Sequence, residues 1–422
     1  MRLLAFRFFF IYFLLTITPW FWFYQIPGDP YLSSLYGNAE QWIVELFNAH
    51  LLHVKDHLNL EGGGSGDTSY AWAQFYTYLI LSAFGCLIWT LLDRKRKNYT
   101  LLDFILKNVV RYNVIMIAFS YGIIKLFALQ MPAPNLNQLA TPLGDFLPMR
   151  LSWMFMGYST PYQVFSGIME IMVGVLLLNR KMVTFGSLLG VAVFTHVFLL
   201  NLSFDIPVKL YSLQIVISCL FLVSYDWNRI VNFLFLNKAA LPTNSFDNIF
   251  TKKWQRIARI IFKVGFIIMV VILPFKQSWE MYKTESSKAD LKPITSGLYA
   301  IKSFEIKHDL VSLQRNDDLD WKDVIFEKGG LGSINTSDTL FTQRYRRGYF
   351  TYKPDTTNQT IQFIKYRNTT PLFELHYKIP DDRTINLFGK IRNDSVYVEL
   401  VRTDRHFQLM ERQFHWISEA NR

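Results

Sequence analysis

Seven long apolar segments, at residues 7–24, 71–92, 109–129, 162–179, 182–200, 208–225 and 257–275, constrain this chain more than any other feature. Each is long enough for a helix to cross a hydrocarbon core about 30 Å thick. Only a helix satisfies the backbone of an isolated segment in lipid, because no water is there to bond it. Residues 1–275 are therefore expected to form a membrane helix bundle of about seven spans. The first segment runs from Phe8 through Pro19, Trp20 and Trp22 without a small-x-small cleavage pattern, so it is expected to remain as an anchor.

The basic residues give the bundle a direction. Arg94 to Lys97 follow the second segment, Arg180 and Lys181 divide the fourth from the fifth, and Lys252, Lys253, Arg256 and Arg259 lead into the seventh. The loops at 25–70, 131–161 and 201–207 carry only Lys55 and Arg150. Cytoplasmic loops collect Lys and Arg, so the N-terminus is expected on the cytoplasmic side of the membrane and the chain beyond residue 275 on the other. The net charge of +11 is then a mark of orientation. The expected partner is the lipid bilayer, with no nucleic acid.

The layout that follows has N-terminal spans at 1–107 with an outer loop at 25–70, and a four-helix unit at 108–227. A cytoplasmic linker at 228–256 is marked by Pro242, Asn244 and Ser245; the seventh span is 257–275, and an extracytoplasmic domain occupies 291–422. The last domain reads differently from the rest. Period-two alternation in Ile361–Lys365, Phe373–Tyr377 and Val396–Leu400 signals strands, and turn residues at Gly329-Gly330, Asn358, Pro380–Asp382 and Asn393-Asp394 separate them. Some eight short strands predict a small all-β barrel or sandwich, able either to hold a small ligand or to be filled by its own side chains. Arg344, Arg346 and Arg347 read as a solvated basic loop, or as a contact for headgroups or a partner.

Ionisable groups inside spans are expensive and point to function. Lys125, Glu170 and His196 all fall in the outer half of the bilayer on this topology, with Asp205 and Lys209 just beyond it. If spans three to six pack together, these five meet at one end, with Tyr121 beside Lys125. Such a cluster suits an anionic headgroup or proton exchange with a quinone. In the quinone reading Lys125 and His196 hold the carbonyl oxygens while Glu170 relays the proton. The structural alternatives are a snorkelling Lys125, a Lys125–Glu170 ion pair and a packed neutral His196.

A second pattern lies in the first outer loop, where 42–60 reads as a helix carrying His50, His53 and His57 on one face, near Asp56 and Asp67. Imidazoles at that spacing can hold zinc, copper or iron; the alternative is an interfacial amphipathic helix. Cys86 and Cys219 lie inside spans without Cys-x-x-Cys spacing and are expected to be buried packing residues. Gly62-Gly63-Gly64-Ser65-Gly66 is a flexible break, since no Lys-Ser/Thr follows to make it a phosphate loop. The chain has no nucleophile elbow, no His-Glu-x-x-His and no dinucleotide fingerprint.

Tyr121-Gly122-x-x-Lys125-Leu126-Phe127 and Glu170-x-x-x-Gly174-x-Leu176-Leu177-Leu178 resemble the DoxX family of small four-helix bacterial membrane proteins, and the likeness covers about 120 residues. It extends to larger DoxX-like proteins with flanking helices and an outer C-terminal domain. The resemblance implies an inner-membrane location and, as in the best-known members, a subunit role in quinone-linked oxidation beside another membrane redox subunit. The competing expectation is a non-enzymatic envelope protein whose bundle anchors a lipid- or partner-binding β-barrel.

Overall fold

The computed structural model of the chain describes residues 3–17, 30–61, 66–241, 252–307, 320–338, 341–367, 371–392, 394–411, 415–417 and 419. Pro19, Trp20, Trp22, the Gly62–Ser65 break, the Pro242, Asn244 and Ser245 turn, and Asn393 lie outside the described residues. In chain order the described α-helices are α1 (Leu3–Thr16), α2 (Pro30–Phe47), α3 (Ser69–Leu92), α4 (Thr100–Leu126), α5 (Leu136–Ala140), α6 (Pro148–Tyr158), α7 (Thr160–Leu178), α8 (Val183–Ser203), α9 (Lys209–Ser224), α10 (Trp227–Leu234), α11 (Lys253–Ser286) and α12 (Gln408–Glu411). Two compact units result, one of Met1–Gln130 with Pro161–Trp279, the other of Met131–Thr160 with Glu280–Arg422.

The first unit is all helix. Among the described residues, α3, α4, α7, the Arg180–Ser203 helix containing α8, and α11 are long and apolar enough to cross a membrane. The sixth expected segment is a bent pair, α9 and α10, turning by 79° at Tyr225-Asp226. The first is the shorter apolar α1. Large side chains on the rim of the unit, such as Phe84 and Leu87 on α3, Phe165 on α7, and Ile260 and Ile261 on α11, are exposed. In water each would forfeit about 25 cal/mol per Å² of apolar surface; in a bilayer the same surface has its natural solvent. The chain is thus a multi-pass membrane protein, with α4 as the central helix: 56% of its apolar window is buried, against 11% for α11.

Lipid gives helices no hydrophobic reason to associate, so close backbone approach does that work. Helices α4 and α7 run antiparallel and cross at a pair of glycines. A Cβ on Gly122 would sit 2.8 Å from Gly167 O, and one on Gly167 would sit 2.7 Å from Gly122 O. Helix α8 meets α9 at Gly190, where Cys219 Sγ fills the space a Cβ would need. Helix α9 in turn packs on α4. Both cysteines are buried and free.

The outer loop departs from expectation. A single helix over 42–60 is not formed: α2 ends at Phe47, a π turn covers Asn48–Leu52, and His53 takes a left-handed φ of 49°. The cause is the buried Asn48 side chain, which accepts from Val54 N at 2.9 Å and donates to Lys55 O at 2.8 Å, replacing helical bonds with a local turn.

The second unit is built on a closed eight-stranded antiparallel barrel in sequential order: β1 (Gly297–Lys307), β2 (Trp321–Phe326), β3 (Leu331–Thr336), β4 (Arg347–Asp355), β5 (Thr360–Lys365), β6 (Pro371–Asp381), β7 (Thr384–Ile391) and β8 (Asp394–Arg402). Strand β1 pairs with β8, Phe304 opposite Val398, so no edge is left for pairing with another chain. Alternate residues point inward, and the interior is filled with rings: Phe326 lies 4.9 Å from Tyr352, and Phe350 4.9 Å from Phe363. The barrel, not the sandwich, is the form adopted.

Residues 131–160 belong with it. Asn137, at the start of α5, donates from its backbone and side chain to Glu327 Oε1 at 2.9 and 2.8 Å and accepts from Ser333 Oγ. Arg347 continues the network, donating to Ser333 Oγ at 2.6 Å and to Asp323. Arg347 is therefore not part of a solvated basic loop. It is buried because a guanidinium here finds both a hydroxyl and a carboxylate, and Arg346 reaches Asp145 at 3.4 Å.

Candidate functional site

The glycine crossing of α4 and α7 sets the site. Lys125 and Glu170 each stand three residues past their glycine, so each projects toward the other helix one turn from the contact. Lys125 Nζ donates to Glu170 Oε1. Both side chains are closed off, at 4% and 1% exposure. Lys125 Nζ also lies 5.9 Å from the Tyr121 ring centroid, and Tyr121 is 6.3 Å from Tyr211 on α9. Glu170 Oε2 is buried and has no hydrogen-bond partner among the described residues. A charge in lipid needs such a partner, and a carboxylate oxygen left without one is a place for a proton or a polar ligand atom.

Asp205 and Lys209 form a separate group. Lys209 Nζ lies 2.7 Å from Asp205 Oδ1 and 3.6 Å from Asp67 Oδ2. Asp67 also accepts the backbone N–H groups of Lys209 and Leu210 at 2.9 and 3.0 Å, capping the start of α9 from a distant part of the chain. A carboxylate at a helix N-terminus is favoured by both the unpaired N–H groups and the dipole. Asp205 is exposed and takes a φ of 49°.

His196 is exposed on α8, so the five groups expected at one end do not converge. Sequence placed His196 on the same span length as the others, but helical phase leaves it exposed. His50, His53 and His57 are exposed as well, and among the described residues no group of three or more His, Cys, Asp or Glu could hold a metal. Sequence reasoning missed the capping role of Asp67, the Asn137–Glu327 joint and the buried Arg111 of α4. Only for Arg111 was there a signal, a cation in an apolar segment.

No family model matches the chain, and no solved structure matches it. Over 76 residues it is 34% identical to YwoB of Bacillus subtilis (strain 168), an uncharacterized protein. That stretch is 18% of this chain and 49% of YwoB, so the chain spans about half the length of the curated relative it matches.

Proposed function

We propose that this is a DoxX-like protein of the bacterial cytoplasmic membrane and the membrane subunit of a quinone-linked redox or redox-stress complex, with Lys125 and Glu170 as its proton-handling pair. The observation that carries the reading is the buried Glu170 carboxylate with one oxygen bound to Lys125 and the other without a hydrogen-bond partner among the described residues. Reduction of a quinone to its quinol takes two electrons, here from the partner redox subunit, and one proton on each carbonyl oxygen; a carboxyl group in a low-dielectric site beside a lysine and near two tyrosines is suited, once protonated, to deliver one of those protons. Tyr121 and Tyr211 take the flanking place that His196 does not.

The proposed orientation has the N-terminus inside and the barrel outside. Parity supports it. Residues 131–160 pack on the barrel, so the two lie on one side of the membrane. Four crossings between them, by α7, α8, α9 and α11, return the chain to that side; three would not. Counting α9 as a crossing also puts Arg94–Lys97, Arg180-Lys181 and Lys252–Arg259 together on the opposite side.

A second reading, an envelope protein whose bundle anchors a partner-binding barrel, is favoured by the filled barrel interior, which leaves the outer wall as the binding face. Full-length protein in mild detergent separates the two. Stoichiometric quinone in the wild type, lost in Glu170→Gln with an unchanged elution profile, supports the redox reading. Folded protein with no quinone overturns it in favour of the anchor.

A further inference from the structure

The first unit holds a cavity of about 1060 Å³ far from Lys125. Arg111, one of its lining residues, is 14 positions before Lys125 on α4, about 21 Å at 1.5 Å per residue. The cavity lies between α1, α4, α7 and α11, and most of its wall is apolar, including Phe13, Phe104 and Phe262. Its polar groups are one-sided. Arg111, Arg180, Arg259 and Lys263 line it together with asparagines, and among the described residues no Asp or Glu does.

The preference of basic residues for one side of a membrane does not account for this arrangement. Elsewhere at that end of the unit, Lys107 is paired with Asp103 at 3.6 Å. Inside the cavity, Arg111, Arg259 and Lys263 have no carboxylate partner among the described residues. Arg111 Nε donates to Leu177 O at 2.6 Å and Lys263 Nζ to Leu178 O at 3.1 Å. Those carbonyls close the last turn of α7, where the helix dipole is negative, and they engage one donor of each cation. The Nη groups of Arg111, a residue 5% exposed, donate to no acceptor among the described residues. Several cations gathered on an apolar wall repel one another unless an anion joins them, and a planar guanidinium is shaped for phosphate.

We propose that this cavity binds one phosphate-bearing lipid, with the phosphate on Arg111, Arg259 and Lys263 and the hydrocarbon chains along the phenylalanine and leucine wall. The size of the cavity, at the upper end of the range for small-ligand pockets of about 300–1,000 Å³, suits an amphiphile better than a bare anion. Basic pockets between membrane helices commonly take anionic headgroups. This site is independent of the Lys125–Glu170 pair.

The test is native mass spectrometry of the full-length protein in detergent, titrated with phosphatidylglycerol, with phosphatidylethanolamine of the same chains, and with inorganic phosphate as competitor. One phosphatidylglycerol should be retained at a concentration at least tenfold below that needed for phosphatidylethanolamine. Arg259→Gln and Lys263→Gln, at an exposed and a half-buried position, should each raise that concentration at least tenfold without altering elution, whereas Lys181→Gln, outside the cavity wall, should not. Equal retention of both lipids, or equal retention by the Arg259 and Lys263 variants, would reduce the site to general lipid contact and overturn the proposal. Displacement by millimolar inorganic phosphate would overturn the lipid assignment and leave a free-phosphate site.

Discussion

Lys125 and Glu170 meet because Gly122 and Gly167, three residues before them, let two antiparallel helices touch backbone to backbone. The pair is therefore both a product of the crossing and a group that requires it. Lys125→Met alone leaves a buried carboxylate without its cation and should lower stability by about 3–5 kcal/mol. The Lys125→Met/Glu170→Met double variant removes both charges and should recover most of that loss. Detergent unfolding of the four-member cycle checks this; additive losses would show that the two charges do not depend on each other.

The crossing itself can be tested without touching a charge. A Cβ at Gly167 would sit 2.7 Å from Gly122 O and 2.9 Å from Lys125 Cβ. Gly167→Val should cost about 1–3 kcal/mol through overpacking. It should also push Lys125 away from Glu170, so any activity that needs the pair falls with it.

Much of this arrangement was legible in sequence. Where they are described, the apolar segments hold helices, the strand alternation closes into a barrel, and the pairing of Lys125 with Glu170 was one of the readings their positions allowed. What failed was finer. Trp42 to Leu60 has helical spacing, yet one asparagine, Asn48, bends the chain at His53 because its side chain competes with the next turn. His196 lies on α8 as expected, but its position along the chain does not fix which face of the helix it occupies. Arg347 follows two exposed arginines in sequence and is buried by tertiary partners, Ser333 and Asp323, that no local pattern names.

Asp67 caps α9 through two backbone N–H groups while also standing near Lys209 Nζ. Asp67→Ala should cost about 1 kcal/mol and raise amide exchange at Lys209 and Leu210 about fivefold. Exchange mass spectrometry over that peptide provides the measurement, and unchanged protection would mean that α9 starts without help from the first outer loop.

The parity of crossings predicts which positions share a side of the membrane. Leu143 and Thr356 are exposed in the second unit; in the first, Arg94 is exposed between α3 and α4 and Lys181 in the 3-10 turn that opens the Arg180–Ser203 helix. Because Cys86 and Cys219 are buried, single cysteines can be added to the native background. Leu143→Cys and Thr356→Cys should react with an impermeant maleimide on intact cells. Arg94→Cys and Lys181→Cys should react only after the membrane is opened. Labelling of Leu143→Cys and Thr356→Cys from opposite sides would remove α9 from the set of spans.

Glu327 gives the barrel a pH dependence that can be signed in advance. Burial raises its carboxyl above the ordinary value of 4.5, and the N–H groups of Asn137 act in the other direction. The folded state then holds the proton more tightly than the unfolded chain. Between about pH 4.5 and the raised folded value, stability falls as pH rises, and the penalty is fully present above that value. Glu327→Gln keeps an oxygen to accept from Asn137 but carries no charge. Wild type should therefore gain stability relative to the Gln variant when pH is lowered from 7 to 5, read by thermal proteolysis of barrel peptides in the full-length protein. Parallel curves for the two proteins would show that the bonds from Asn137 already offset the burial of the charge, and that the α5 joint is indifferent to protonation.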